Sequence, residues 1–151
     1  MSPALASPLS RPLVLAGRCA ADLMAPNPVS IEETATVPEA LALLLDRALH
    51  AAPVIDEAGH PVGVLTTTDL LVHLRESAAP QPGNVAERYL VRDIMTPVIF
   101  SVLPNAPPAQ VVKEMLDLKV HTLFVVEPSG VLIGVISAMD VLRHLQHVLG
   151  D

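Results

Sequence analysis

Two stretches of this chain place hydroxyls and a carboxylate at the junction of a short apolar run and a helix start. Residues 63–69 read Gly-Val-Leu-Thr-Thr-Thr-Asp, and residues 134–140 read Gly-Val-Ile-Ser-Ala-Met-Asp. A helix N-terminus offers unpaired N–H groups and a partial positive charge, so it suits an anion. Thr66 and Thr68 add hydroxyls there in the first copy, and Ser137 does so in the second. Asp69 and Asp140 fall in the first turn, where an acid can accept both hydroxyls of a ribose, as in dinucleotide-binding folds. Gly63 permits close backbone approach or tight packing. The spacing Thr-x-x-Asp also opens ordinary helices, with the acid near the positive end. Its recurrence in the same slot of both halves favours a ligand.

The recurrence extends far beyond the phrase. A shift of 71 residues, without a gap, superposes 16 identical residues over Asp22–Leu74. Asp22, Met24 and Pro26 fall on Asp93, Met95 and Pro97; His50 falls on His121; Leu71 and His73 fall on Leu142 and His144. A long-period repeat sets the architecture before local propensities do.

Each unit reads as β-α-β-β-α. In the first, Ala20–Met24 is a lead-in turn and Val29–Ile31 a strand. Thr36-Val-Pro-Glu39 forms a capping box that opens a helix to about Leu49. Ala52–Ile55 and Val62–Thr66 make a hairpin around Asp56–His60, and Thr67 or Thr68 caps a helix to about Arg75. In the second, Phe100–Val102 is a strand, and a helix runs from Asn105-Ala-Pro-Pro to about Lys119. Leu123–Val126 and Leu132–Ser137 form the hairpin, and Ala138–Leu149 the last helix. The expected organisation is a flexible segment 1–18, unit one 19–77, a Pro/Gly-containing linker 78–89, and unit two 90–149. The fold class is α/β (α+β): two pseudo-twofold related units packed sheet to sheet, helices outside, with a cleft between them at the strand ends.

Bulk composition narrows the function. Half-chains of this size are marginal alone, so the units should pack together. The chain is 51% hydrophobic and 2% aromatic, so the core is aliphatic. A net charge of −7 argues against non-specific nucleic-acid binding, which depends on phosphate neutralisation. No apolar run is long enough to cross a bilayer. With a weak signal-peptide pattern as well, a cytoplasmic location is expected. Cys19 is alone, which rules out a disulfide framework or thiolate zinc site; it reads as a small packed side chain. No catalytic triad, paired-carboxylate motif, metal triad or phosphate loop appears, so neither catalytic nor metal-ligating residues are assigned.

These motifs resemble a known family. Asp93-Ile-Met-Thr-Pro97 and its looser copy Ala21-Asp-Leu-Met-Ala-Pro26 resemble the opening phrase of the CBS domain. Ala52-Pro-Val-Ile-Asp56, followed by Gly59-x-x-x-Gly63, resembles its hairpin. Gly63-x-x-Thr66-x-x-Asp69 and Gly134-x-x-Ser137-x-x-Asp140 resemble its ribose–phosphate signature. The resemblance covers about Cys19–Leu149, and the pair is similar to a Bateman module. It implies clefts for adenosine-containing ligands (AMP, ADP, ATP or S-adenosylmethionine), no required cofactor, frequent homodimers, and regulation of an effector protein, here in trans. It also implies that Asp69 and Asp140 bind ribose, and that Thr66, Thr68 and Ser137 serve phosphate or ribose. Ala51 and Thr122, at the strand starts, would meet the base, and Val29 and Phe100 would be apolar lining. A ligand-independent oligomerisation scaffold with vestigial clefts is the alternative.

The units depart unequally from that pattern. Unit two has Phe124 for the usual Pro, Glu127 for the usual Asp, and Met139 opposite Thr68. Unit one is therefore the expected phosphate site; unit two is expected to take a less charged adenosyl ligand or none. His50 and His121 precede the buried strands. In the family's kinase subunit a His there reaches phosphate with an Arg behind it; here Ala51 and Thr122 follow. Phosphate contact and a simple helix-dipole role both remain open for them. His144 and His147 are spaced as one helical turn, which fits a solvated or interface face better than a metal site.

Overall fold

The computed structural model describes residues 12–77 and 89–147. Most of the expected N-terminal segment and of the linker lies outside the described residues. Unit one contains α1 (Ala20–Leu23), β2 (Ala25–Pro26), β3 (Ile31–Glu32), α2 (Val37–Arg47), β4 (Ala51–Ile55), β5 (Pro61–Thr66) and α3 (Thr67–Glu76). Unit two repeats the order as α4 (Val91–Ile94), β6 (Ser101–Val102), α5 (Pro108–Leu118), β7 (Thr122–Val126), β8 (Leu132–Ser137) and α6 (Ala138–Arg143). A strand at each end, β1 (Leu13–Leu15) and β9 (Leu145–His147), completes the fold.

Local chemistry accounts for the main elements. Thr36 caps α2, and both halves of the expected box form with Glu39. Ala48 and Lys119 close α2 and α5 in the left-handed conformation. Gly59 and Gly130 take positive φ in the hairpin turns. β4 and β5 pair antiparallel, with β3 parallel on the far side of β4; β7, β8 and β6 repeat that arrangement. Each helix–sheet pair then buries its own aliphatic cluster, around Leu44, Val54 and Leu65 in unit one and Val111, Leu123 and Ile136 in unit two.

The units are laced together by their lead-ins. β2, at the start of unit one, pairs with β8 of unit two, Pro26 opposite Gly134. Reciprocally, Val64 of β5 and Thr96 of unit two bond through both backbone N–H groups at 2.9 Å. The lead-in helices cross as well. Ala20 and Leu23 of α1 lie in the unit-two core, and Val91 of α4 lies in the unit-one core. Their backbones follow one rule: Ala20 N donates to Ala106 O at 2.8 Å, and Val91 N to Ala35 O at 2.8 Å.

This exchange explains both repeat glycines. A Cβ on Gly63 would stand 2.6 Å from the Thr96 carbonyl oxygen and 2.8 Å from the Met95 sulfur. A Cβ on Gly134 would meet the Met24 side chain. Each glycine makes room for the other unit's methionine.

Several expectations are corrected. The cap of α3 is Thr66, not Thr67 or Thr68, because the strand runs extended into the helix at Thr66 (φ −116°, ψ 162°). The first strands are shorter and start later, at Ile31 and Ser101. The last helix stops at Arg143 instead of Leu149, because residues 145–147 pair antiparallel with Leu13–Leu15. That pairing also makes part of the expected flexible segment a strand, and it removes the helical spacing between His144 and His147. Among the described residues no helix is long and apolar enough to cross a membrane.

Candidate functional site

The strand-to-helix junctions fold as two mouths closed by the same capping box. At the first, Asp69 N donates to Thr66 Oγ1 at 3.1 Å, and Thr66 N donates to Asp69 Oδ2 at 2.9 Å. Ser137 and Asp140 repeat the box at 3.0 and 2.8 Å. The next N–H in each mouth is also engaged: Thr67 N donates to His50 O at 2.9 Å, and Ala138 N to His121 O at 2.8 Å. These reciprocal bonds fix the hydroxyl and the carboxylate, and they satisfy N–H groups that would otherwise be open to an anion.

The mouths differ in what holds the acid. Thr96, from the exchanged lead-in, donates its hydroxyl to Asp69 at 3.0 Å to Oδ1 and 3.3 Å to Oδ2. Its repeat equivalent is Ala25, which has no hydroxyl. Asp140 is met instead by Arg143 of its own helix, Nη1 donating to Oδ1 at 3.0 Å. The first acid is therefore anchored by the opposite unit, and the second by a local ion pair.

Between the mouths lies one cavity of about 690 Å³. Repeat-equivalent pairs face it from both units: Val29 and Phe100, Ala51 and Thr122, Pro53 and Phe124, Val64 and Val135, Thr66 and Ser137. The pseudo-twofold relation thus runs through a single chamber. Its polar side chains are Thr66, Thr96, Thr122, Ser137 and His121, and the rest of the wall is apolar. The volume falls in the usual range for small-molecule sites.

Of the residues singled out from the sequence, Val29, Ala51, Thr66, Phe100, His121, Thr122 and Ser137 line this chamber. Asp69 and Asp140 stand behind their caps, outside the lining. His50 is exposed and meets the site through its carbonyl; Thr68 is exposed and does not line the chamber. Sequence reasoning missed Thr96 and Val98, which reach the chamber because the lead-in crosses over. The Met-Thr-Pro phrase was visible, but nothing local says that its threonine faces the other unit. His73, one turn after Asp69, packs edge-on against Tyr89 at 4.8 Å, away from the chamber.

Two exchanged α/β repeats that enclose one ligand-sized chamber between paired strand-to-helix mouths define a tandem repeat module. The family is settled by comparison: a family model for the CBS domain matches residues 20–76 and 91–147, so the chain belongs to the CBS domain family. It is 34% identical over 118 residues to the gamma-3 subunit of 5'-AMP-activated protein kinase from Bos taurus, which covers 75% of this chain and 23% of the relative. The chain spans about a quarter of the length of the kinase subunits it matches. Among solved structures it is similar to CBSX2 in complex with AMP, at 29% identity and TM-score 0.68, covering 84% of this chain and 95% of that one. It is also similar to the CBS domain of a bacterial CNNM/CorC family Mg²⁺ transporter in complex with ATP. That match has 28% identity and TM-score 0.69, and covers 83% of this chain and 85% of the other.

Proposed function

We propose that this chain is a regulatory, non-catalytic module that holds an adenosine-containing small molecule between its two units and passes the change to a partner protein in trans, in the cytoplasm. The observation that carries the reading is the shared chamber with a hydroxyl–acid mouth from each repeat. The AMP and ATP bound by the two similar solved structures support it. In this reading Asp69 and Asp140 turn toward ribose when a ligand displaces their present partners. Thr66, Thr68 and Ser137 offer hydroxyls, while Ala51 and Thr122 meet the base through backbone groups. Val29 and Phe100 enclose it, and His50 and His121 flank it.

The test is a thermal-shift series with AMP, ADP, ATP and S-adenosylmethionine on the wild-type chain and Asp69→Asn. A ligand at 100 times its Kd should add about 2.7 kcal/mol of stability. Loss of that gain in the variant supports the ribose role. If none of the four compounds moves the wild-type melting point, the reading fails.

A second observation favours self-association. Leu45 and Leu116, repeat equivalents on α2 and α5, are each 71% exposed, and Leu71 and Leu142 on α3 and α6 are 64% and 54% exposed. Two matching apolar helix faces fit a homodimer, and they would equally serve a ligand-independent scaffold. Light scattering on wild type and on Leu45→Glu/Leu116→Glu decides. The dimer predicts twice the monomer mass reduced to one in the variant; a monomeric wild type refutes it.

A further inference from the structure

We infer that the chamber selects an uncharged ligand with one flat aromatic ring, of nucleoside type, and discriminates against nucleoside di- and triphosphates. This rests on the adenosyl reading above and narrows it. Three independent observations carry it.

The first is the charge of the wall. Among the described residues, no Lys, Arg, Asp or Glu lines the chamber. A phosphate brought inside loses its hydration with no Lys or Arg to replace it, only the imidazole of His121, and that loss is large for a multiply charged group. The protein's net charge of −7 offers no compensating field.

The second is the state of the helix N-termini. The N–H groups of Thr66, Thr67 and Asp69 at one mouth, and of Ser137, Ala138 and Asp140 at the other, are already bonded inside the protein. Of the first-turn groups, those of Thr67, Asp69, Ala138 and Asp140 are therefore occupied, and Thr68 and Met139, which complete the two turns, do not line the chamber. The Thr96 hydroxyl is given to Asp69; what remains beside the His121 ring is the Thr122 hydroxyl, which matches sugar hydroxyls and ring nitrogens better than phosphate oxygens.

The third is the placement of the aromatic residues. The chain has two phenylalanines, and both line this chamber. They are neighbours across the β6–β7 edge, where Phe124 N donates to Phe100 O at 3.0 Å. Phe124 is buried, while Phe100 is 37% exposed and therefore has a surface free for a planar partner. An aliphatic core does not need its only phenylalanines at an open cavity wall; a stacked ring uses them.

The experiment is calorimetric titration of the full chain with adenosine, AMP and ATP at pH 8 and fixed ionic strength. Adenosine is expected to bind at least tenfold more tightly than ATP, with AMP between them. Phe100→Ala should weaken adenosine about tenfold. Thr122→Arg, at an exposed lining position, should raise the ratio of AMP to adenosine affinity about tenfold. ATP binding as tightly as adenosine overturns the inference while leaving the adenosyl reading intact. An unchanged ratio of AMP to adenosine affinity in Thr122→Arg, or unchanged adenosine affinity in Phe100→Ala, also overturns it. No binding by any of the three removes the adenosyl reading itself, and the inference with it.

Discussion

Adding one methyl group at Gly63 should cost more than adding it at Gly134, although the two glycines are repeat equivalents. At Gly63 the new Cβ lies 2.6 Å from the carbonyl oxygen of Thr96. That oxygen accepts the Val64 N–H, and the Thr96 N–H bonds back to Val64, both at 2.9 Å. The obstacle is therefore backbone, and it cannot retreat without breaking the bridge between the units. At Gly134 the obstacle is the Met24 side chain, whose thioether can rotate away, although its Cβ stays at 3.1 Å. Overpacking typically costs ~1–3 kcal/mol. Reduced freedom of the unfolded chain returns roughly 0.4–1 kcal/mol for Gly→Ala. Gly63→Ala should thus lose about 1–2 kcal/mol net, and Gly134→Ala about 0–1 kcal/mol. For a domain of this size each kcal/mol lowers the melting point by roughly 2–4 °C. Urea unfolding followed by circular dichroism measures both variants. A second readout comes from the site: displacing Thr96 detaches its hydroxyl from Asp69, so Gly63→Ala should weaken ligand binding more than Gly134→Ala does. Equal losses at the two positions, or a Gly63→Ala as stable as wild type, would refute the account of the exchanged lead-ins.

Other perturbations test the same construction. Thr66→Ala should cost about 1 kcal/mol through the lost cap, whereas Thr66→Ser keeps the oxygen and should stay near wild type; chemical denaturation distinguishes them. Leu65→Ala and Ile136→Ala remove fully buried side chains from the two separate clusters, each at about 2–5 kcal/mol. Because α1 and α4 cross between those clusters, either variant should shift one cooperative transition. Two resolved transitions by calorimetry would show that the units unfold independently.

The sequence carried the periodic features well. The 71-residue offset, both hairpins and the Thr36–Glu39 box depend on contacts within a few residues or on long aliphatic runs, and both leave a pattern. The lead-in exchange left none. β2 is two residues long, too short for alternation to register, and it finds its partner in the opposite half of the chain. The same reason hid Thr96: its own neighbours do not encode that it reaches Asp69. At the mouths the residue types were legible, but their saturation was not. Thr-x-x-Asp announced a helix start, while the backbone partners His50 and His121, which occupy the next N–H, come from a different strand end. The final helix failed for a related reason: α6 has helical composition beyond Arg143, yet β1 competes for that stretch and wins it.

The pairing of β1 with β9 has a mechanical consequence. Leu13 stands opposite His147, and Leu15 opposite Leu145, so the outermost residues of the ribbon lie at the same end. Tension applied outward at both would load the backbone bonds one rung after another, as a zipper opens, and never all at once in shear. The first extension under load is therefore a short, low-force release of this ribbon. It ends at Ala16, whose N–H holds His144 O at 2.7 Å, and leaves the laced halves still closed.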